Sequence, residues 1–213
     1  MDSSLRVIHH PLVAHQVTLL RDSSTDQVTF ARCAHEITRW LAYEAFADLP
    51  VTDVVIDTPV VEKVHASKVT SETVIVPILR AGLGLVPALQ EVLPVTRVCA
   101  VGLRRDEETL AAEVYLDGLP ADLSQSRVLI CDPMLATGGS LIQVATMIKE
   151  RGATDVTAIC LIAAAPGVEH FHAAHGDVAL VTAAIDPALN EHGYIVPGLG
   201  DAGDRLFGAP VRP

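Results

Sequence analysis

The sequence predicts an α/β fold built around a parallel sheet, and three observations predict it. Short runs rich in Val, Ile and Ala recur at residues 74–79, 97–103, 128–131, 156–162 and 178–185. Between them lie stretches with helical spacing near residues 83–93, 139–151 and 167–175, and alternation of this kind marks βαβ units. The runs are apolar at nearly every position instead of every second one, as expected of strands covered on both faces. With 213 residues, half of them hydrophobic, the chain can bury a sizeable core, and a single domain over residues 1–213 is expected.

The elements follow in order. Residues 29–47 place Phe30, Cys33, Ala34, Ile37, Leu41, Glu44 and Ala45 at three- and four-residue spacings, the period of an amphipathic helix. Residues 54–56 and 60–64 read as short antiparallel strands, and the parallel strands begin at Val74. Residues 104–126 are rich in charge, Gly and Pro and read as a long loop, a length that usually accompanies function or motion. Residues 186–213 hold too many Gly and Pro for a helix and read as an ordered loop packed on the core through Ile195, Val196, Leu199, Leu206 and Phe207.

Composition excludes several classes. The longest apolar run, residues 156–168, carries Pro166 and Gly167 near its end and falls short of the roughly 20 residues of a membrane span. The N-terminus has no basic segment followed by an apolar stretch, so no secretion signal is read and the cytoplasm is the expected location. Cys33, Cys99, Cys131 and Cys160 are widely spaced without a CxxC pair and read as reduced, buried thiols. A formal charge of −11 opposes a nucleic-acid surface, which needs clustered Lys and Arg.

An acidic protein can still hold a small polyanion where backbone N–H groups and a helix N-terminus converge. The segment VLICDPMLATGGS, residues 128–140, has that form. An apolar strand ends at Asp132, passes through paired glycines and enters a helix. Gly138 and Gly139 admit close approach of a phosphate, Thr137 and Ser140 add hydroxyls, and the helix directs free N–H groups at the anion. Asp132 is placed to accept hydrogen bonds from two ribose hydroxyls. A plain strand-to-helix turn with a Ser or Thr cap accounts for many isolated TGGS strings. A P-loop does not fit, because no Lys follows the glycines.

Asp132, Pro133, Met134, Leu135, Ala136, Thr137, Gly138, Gly139 and Ser140 resemble the phosphoribosyl pyrophosphate loop of type I phosphoribosyltransferases. That signature usually has two adjacent acids; Cys131 stands in place of the first, as in the uracil-specific branch. ILRAGLG at residues 78–84, RDEETL at 105–110 and NEHGYIVPGLGDAGDRLFG at 190–208 match the same branch, and the similarity covers nearly the whole chain. It implies a type I phosphoribosyltransferase fold, with a parallel core flanked by helices and a small hood made from the N-terminal region and the C-terminal loop. Its implied activity is transfer of the ribose phosphate from phosphoribosyl pyrophosphate to uracil, giving UMP in pyrimidine salvage. An RNA-binding pyrimidine regulator on the same fold is the alternative, and the charge opposes it.

The resemblance implies that the Asp132–Ser140 loop, Arg80, Arg105 and Asp201 hold phosphoribosyl pyrophosphate. Arg80 and Arg105 act on the leaving pyrophosphate with their bidentate forks, and Asp201 assists. Ile195, Gly200 and Ala202 bind uracil through their main chain, with Asp201 alongside. Mg²⁺ is expected mainly on substrate and water oxygens, with no dedicated protein metal site. A homodimer or larger homo-oligomer and, in part of the branch, GTP as an effector are also implied.

Four further features are weighed on their residues. Gly198–Gly203 satisfies GxGxxG but sits after Pro197 near the chain end, outside any βαβ unit, and is a decoy. Glu107 and Glu108 read as solvated loop acids, and Ala111–Ala112 departs from the branch's usual Glu-Pro. EHFHAAH at residues 169–175 lacks the HExxH spacing and reads as a surface helix. His192 is a candidate with either a functional or a loop-forming role.

Overall fold

The computed structural model describes residues 4–105 and 112–208. Its main sheet carries, in spatial order, β1 (Leu5–Val7), β11 (Ala179–Asp186), β10 (Asp155–Ala164), β8 (Arg127–Cys131), β4 (Thr73–Leu79), β6 (Val101–Arg105) and β7 (Ala112–Asp117). All pairs are parallel except β6 with β7. Two short pieces extend the ladders, β5 (Thr96–Val98) on β4 and β9 (Met134–Leu135) on β10. The central strands are buried along nearly their whole length, which accounts for runs without polar alternation.

Two core clusters cover the two faces. On one, Phe30, Ile37 and Leu41 of α2 (Gln27–Ala45) pack with Ile75, Leu129, Ile159 and Val181 of the sheet. On the other, Leu141, Val144 and Ile148 of α4 (Gly139–Glu150) and Phe171 of α5 (Ala165–Ala174) pack with Val74, Val128, Ala158 and Leu180. Asp26 caps α2 by accepting from Thr29 N–H at 2.8 Å, and Pro166 opens α5 where no amide donor is needed.

Several boundaries depart from the expectations. Glu44 is exposed and its carbonyl accepts from Arg6 at 2.7 Å, so only the apolar members of its helical set face the core. The run at 97–103 is two strands, because the chain bends at Cys99 and Ala100 while both halves still pair with β4. The hairpin is β2 (Thr52–Ile56) with β3 (Val64–Lys68), later than the expected second strand. Residues 57–63 instead close its loop: Thr58 Oγ1 accepts from Val61 N–H, and Asp57 Oδ1 from Lys63 N–H, local bonds that compete with strand pairing.

The long loop after β6 contains β7, whose Tyr115 ring covers Gly102 across the pair. Glu107, Glu108 and Ala111 lie outside the described residues. Helix-like spacing at 83–93 resolves into a 3₁₀ turn at Ala81–Leu85 followed by α3 (Val86–Val92).

The C-terminal region is more regular than a loop. It forms a small hairpin, β12 (Ala188–Leu189) with β13 (Ile195–Val196), and α6 (Ala202–Phe207). Gly203 alone of the glycines falls inside α6, and Asp201 Oδ1 caps it through Asp204 N–H at 2.9 Å. At the other end α1 (Pro11–Arg21) follows β1, capped by the His10 ring. These two ends form the hood together. Arg205 donates to the carbonyls of Leu20, Leu199 and Asp22 and lies 4.3 Å over the Phe30 ring, while Gln27 donates to Leu206 at 2.9 Å.

Phe30 thus supports the core and the hood at once. Phe30→Ala is expected to cost about 3–5 kcal/mol of stability, read from urea or thermal unfolding; an unchanged midpoint would contradict that dual role.

Candidate active site

The site lies beyond the carboxyl ends of β4, β8, β10 and β11, where ligands bind in parallel sheets. β8 pairs with β10 as far as Cys131 and Ile159; Asp132 N–H still reaches Ile159 O at 3.2 Å, and Pro133 O accepts from Leu161 N–H at 2.9 Å. The chain then rejoins β10 as β9, Met134 opposite Ile162. Residues 132 and 133 therefore interrupt the pairing with β10 without shifting its register, and only 136–138 form a free turn before α4.

Gly138 has φ +90°, and an added Cβ there would lie 3.1 Å from Gly167 O. Gly139 has an ordinary backbone, and an added Cβ would make only an ordinary contact, 3.9 Å from Thr137 Oγ1. Of the paired glycines, only the first is required by conformation. A cavity of about 100 Å³ is lined by Asp132, residues 134–141, Ile159 and Cys160, so eight of the nine loop residues expected at the phosphate border it. Pro133 is buried with its carbonyl turned to β10.

Asp132 is partly exposed yet crowded by protein atoms, and among the described residues no cation pairs with it. Burial pushes its carboxyl up to about 7, opposed weakly by Met134 N–H at 3.4 Å. Cys131 is fully buried, with its thiol pushed up by burial and 3.7 Å from Gly82 O. A carboxylate at that position would face the apolar core, so an uncharged residue fits where related loops carry an acid. All four cysteines are free and buried.

Gly82 packs against β8 so closely that an added Cβ would sit 2.3 Å from Cys131 O. This contact brings the turn that starts at Arg80 beside the Asp132 loop; the Leu79–Arg80 peptide is cis. Arg80 donates to Asp204 at 2.8 Å, next to Gly203 in the first turn of α6. The structure thereby joins Arg80 to the Asp201 segment, 121 residues away in the sequence. Arg105 ends β6, and its side chain lies outside the described residues. Arg104 pairs with Glu113 at 2.8 Å.

A second cavity, of about 360 Å³, is lined by Met134, Ala136, His192, Gly193, Tyr194, Ile195, Gly200 and Asp201. Ile195, Gly200 and Asp201 border it as expected, whereas Ala202 is buried at the start of α6, outside this lining. Met134 and Ala136 line both cavities, so the glycine-rich loop and the C-terminal segment share a wall. The exposed His192 borders this cavity. Its N–H and that of Tyr194 donate to Asn190 Oδ1 at 3.0 and 2.9 Å.

Sequence reasoning missed the pair that anchors the C-terminal segment at Gly198. Asp186, at the end of β11 and 4% exposed, accepts from Arg21 at 2.5 and 2.8 Å and from Gly198 N–H at 3.0 Å, while Arg21 also donates to Gly198 O at 2.8 Å. A strand-end acid is a legible signal for Asp186; nothing nearby in the sequence points to Arg21. The histidines of EHFHAAH diverge: His170 Nδ1 lies 2.8 Å from Thr137 O, and His175 Nε2 lies 3.0 Å from Thr146 Oγ1.

Comparison with known proteins decides the family: the uracil phosphoribosyltransferase model matches residues 7–209. The chain belongs to the uracil phosphoribosyltransferase family. It is 51% identical over 207 residues to the uracil phosphoribosyltransferase of Kineococcus radiotolerans, covering 96% of this chain and 98% of that one. It is 47% identical over 204 residues to that of Streptococcus pneumoniae, covering 96% and 98%. A solved protein from Aquifex aeolicus aligns with a TM-score of 0.89 and 34% identity over 98% of this chain and all of that one. A hypoxanthine phosphoribosyltransferase from Trypanosoma cruzi, 14% identical, shares the fold at a TM-score of 0.52 over 75% and 76% of the two chains. The chain is accordingly a phosphoribosyltransferase, in the glycosyltransferase class, with the type I fold.

The Asp132 carboxyl sets a pH test. Its pKa rises from 3.8 to about 7 on folding, so the folded state binds the proton more tightly and stability falls as pH rises through that window. Asp132→Asn is expected to melt above the parent at about pH 8, with the gap closing toward about pH 4.5. A gap independent of pH would contradict the buried carboxyl.

Proposed function

We propose that the protein transfers the 5-phosphoribosyl group of phosphoribosyl pyrophosphate to N1 of uracil, forming UMP and pyrophosphate in pyrimidine salvage. The observation that carries this reading is the shared wall: Met134 and Ala136 border both the glycine-rich anion cavity and the cavity of Ile195, Gly200 and Asp201. One substrate bound in each would meet at that wall, as substitution at the ribose C1 requires.

In this reading the N–H groups of residues 137–140 hold the 5-phosphate and Asp132 accepts from the ribose hydroxyls. Arg80 and Arg105 stabilise charge on the pyrophosphate as the C1–oxygen bond breaks and the C1–N1 bond forms. Ile195, Gly200 and Ala202 read the base through main-chain groups, and an amide pattern complementary to uracil N3–H and O4 rejects the amine of cytosine. Asp201 helps remove the N1 proton through water.

Mg²⁺ supplies, when bound, positive charge that neutralises the departing pyrophosphate. It commonly keeps several waters and uses one or two carboxylates beside phosphate oxygens. Among the described residues no three His, Cys, Asp or Glu side chains converge as ligands. The exposed Asp201 at the cavity rim fits such a water-mediated contact.

A homodimer or larger assembly belongs to the same proposal. Among the described residues the β2–β3 hairpin pairs with no other strand, and it exposes Val55 and Ile56; a lone two-stranded hairpin is marginally stable in water. Light scattering at the mass of one 22.6 kDa chain would contradict it. A single domain over residues 1–213 and a cytoplasmic location complete the reading; the four free, buried cysteines suit a reducing compartment.

Incubation with Mg²⁺, phosphoribosyl pyrophosphate and each free base in turn tests the activity. Nucleotide is expected with uracil, and its absence would overturn the assignment. Arg80→Ala is expected to lower kcat/KM for phosphoribosyl pyrophosphate by about 10²–10³. Asp201→Asn is expected to lower kcat, and full kcat at every pH would remove Asp201 from proton transfer.

A further inference from the structure

Gly138 occupies the left-handed region at φ +90°, and as glycine it can take the opposite sign of φ at little cost. The peptide joining Thr137 to Gly138 therefore has two accessible orientations. In a trans peptide the carbonyl and the N–H point in opposite directions. One orientation presents the Gly138 N–H to the cavity of residues 134–141; the flipped one presents the Thr137 carbonyl oxygen, which would repel an anion. Nothing in the local sequence TGG selects between them.

The selection comes from α5. The carbonyl of Thr137 can only accept, so the 2.8 Å contact with His170 is a hydrogen bond donated by the imidazole Nδ1–H. It holds the oxygen toward α5 and aims the Gly138 N–H the other way. One residue upstream, Gly167 closes the same junction, since an added Cβ would meet Ala136 O at 2.0 Å. His170 is solvent-exposed, and water could satisfy the carbonyl in either orientation. Water has no preferred direction, whereas a ring fixed on a helix does.

We propose that His170 is a positioning residue for the anion loop, holding the Thr137–Gly138 peptide in the orientation that binds a phosphate monoester. The inference rests on the reading of residues 137–140 as the 5-phosphate site. It assigns His170 an effect on binding of the ribose phosphate half of the substrate and none on the base.

Three variants of the full chain test it. His170→Leu removes the donor. His170→Asn places an amide N–H close to where Nδ1 stood, and His170→Gln carries its amide one carbon further out. Calorimetric titration with ribose 5-phosphate is measured beside KM for phosphoribosyl pyrophosphate, KM for uracil, kcat and thermal unfolding. His170→Leu and His170→Gln are expected to weaken ribose 5-phosphate binding and raise KM for phosphoribosyl pyrophosphate by about tenfold, the size of one lost hydrogen bond. His170→Asn is expected to stay near the parent, and kcat and KM for uracil to hold in all three.

Equal ribose 5-phosphate affinity in the Asn and Gln variants would overturn the proposal even if the Leu variant fails to fold. So would a loss shared equally by kcat, KM for uracil and the melting temperature. A parent protein that binds ribose 5-phosphate but makes no UMP would overturn the proposed function alone, and the titration would still decide the role of His170.

Discussion

Between Cys131 and Met134 the chain leaves its ladder with β10 and rejoins it in the same register, and the positions of the remaining site residues follow from that interruption. Pro133 keeps its carbonyl on β10 through Leu161 and Ile162, so Asp132 is pushed out at the strand end and Met134 and Ala136 face the cavities. A plain turn at this place would release the loop from the sheet. Instead only residues 136–138 are unsupported by strand pairing, and α5 packs against them at Gly167 and His170. The loop is thus held between the sheet and α5 along its whole length.

The C-terminal segment is held by charge. Asp186, buried at the end of β11, accepts both arms of Arg21 from α1 and the N–H of Gly198. Breaking such a pair by removing one partner leaves a buried charge, commonly at a cost of about 3–5 kcal/mol. Arg205 ties α6 to the α1–α2 connection through carbonyls and the Phe30 ring. The segment at 198–203, half of it glycine, can thus take a fixed shape, because Arg21 and Arg205 hold it from the N-terminal region and from α6.

The parallel strands, α2 and α4 were legible because each carries its own periodicity or apolar run. So was the glycine-rich strand-to-helix loop, where strand end, glycines and helix start are contiguous. The elements misread were those whose local signal is contradicted by neighbours. Val60–Val61 looks like strand but is drawn into a loop by Thr58; residues 112–117 look like loop but find a partner in β6; 202–207 looks like a Gly-rich coil but is capped by Asp201. The burial of the Ala202 side chain was likewise not legible, because it follows from α6 beginning there.

The sequence by itself determined the order of strands and helices, the apolar sheet and the glycine-rich loop after β8, since these depend on residues adjacent in the chain. It also determined the family, through motifs distributed along its length. Tertiary structure alone decided which distant residues meet: Arg80 with Asp204, Arg21 with Asp186, His170 with Thr137. Those contacts span from 33 to 165 residues of chain. No local propensity encodes them; they arise when parallel strands of fixed register bring their carboxyl ends, and the loops beyond, to one edge of the sheet.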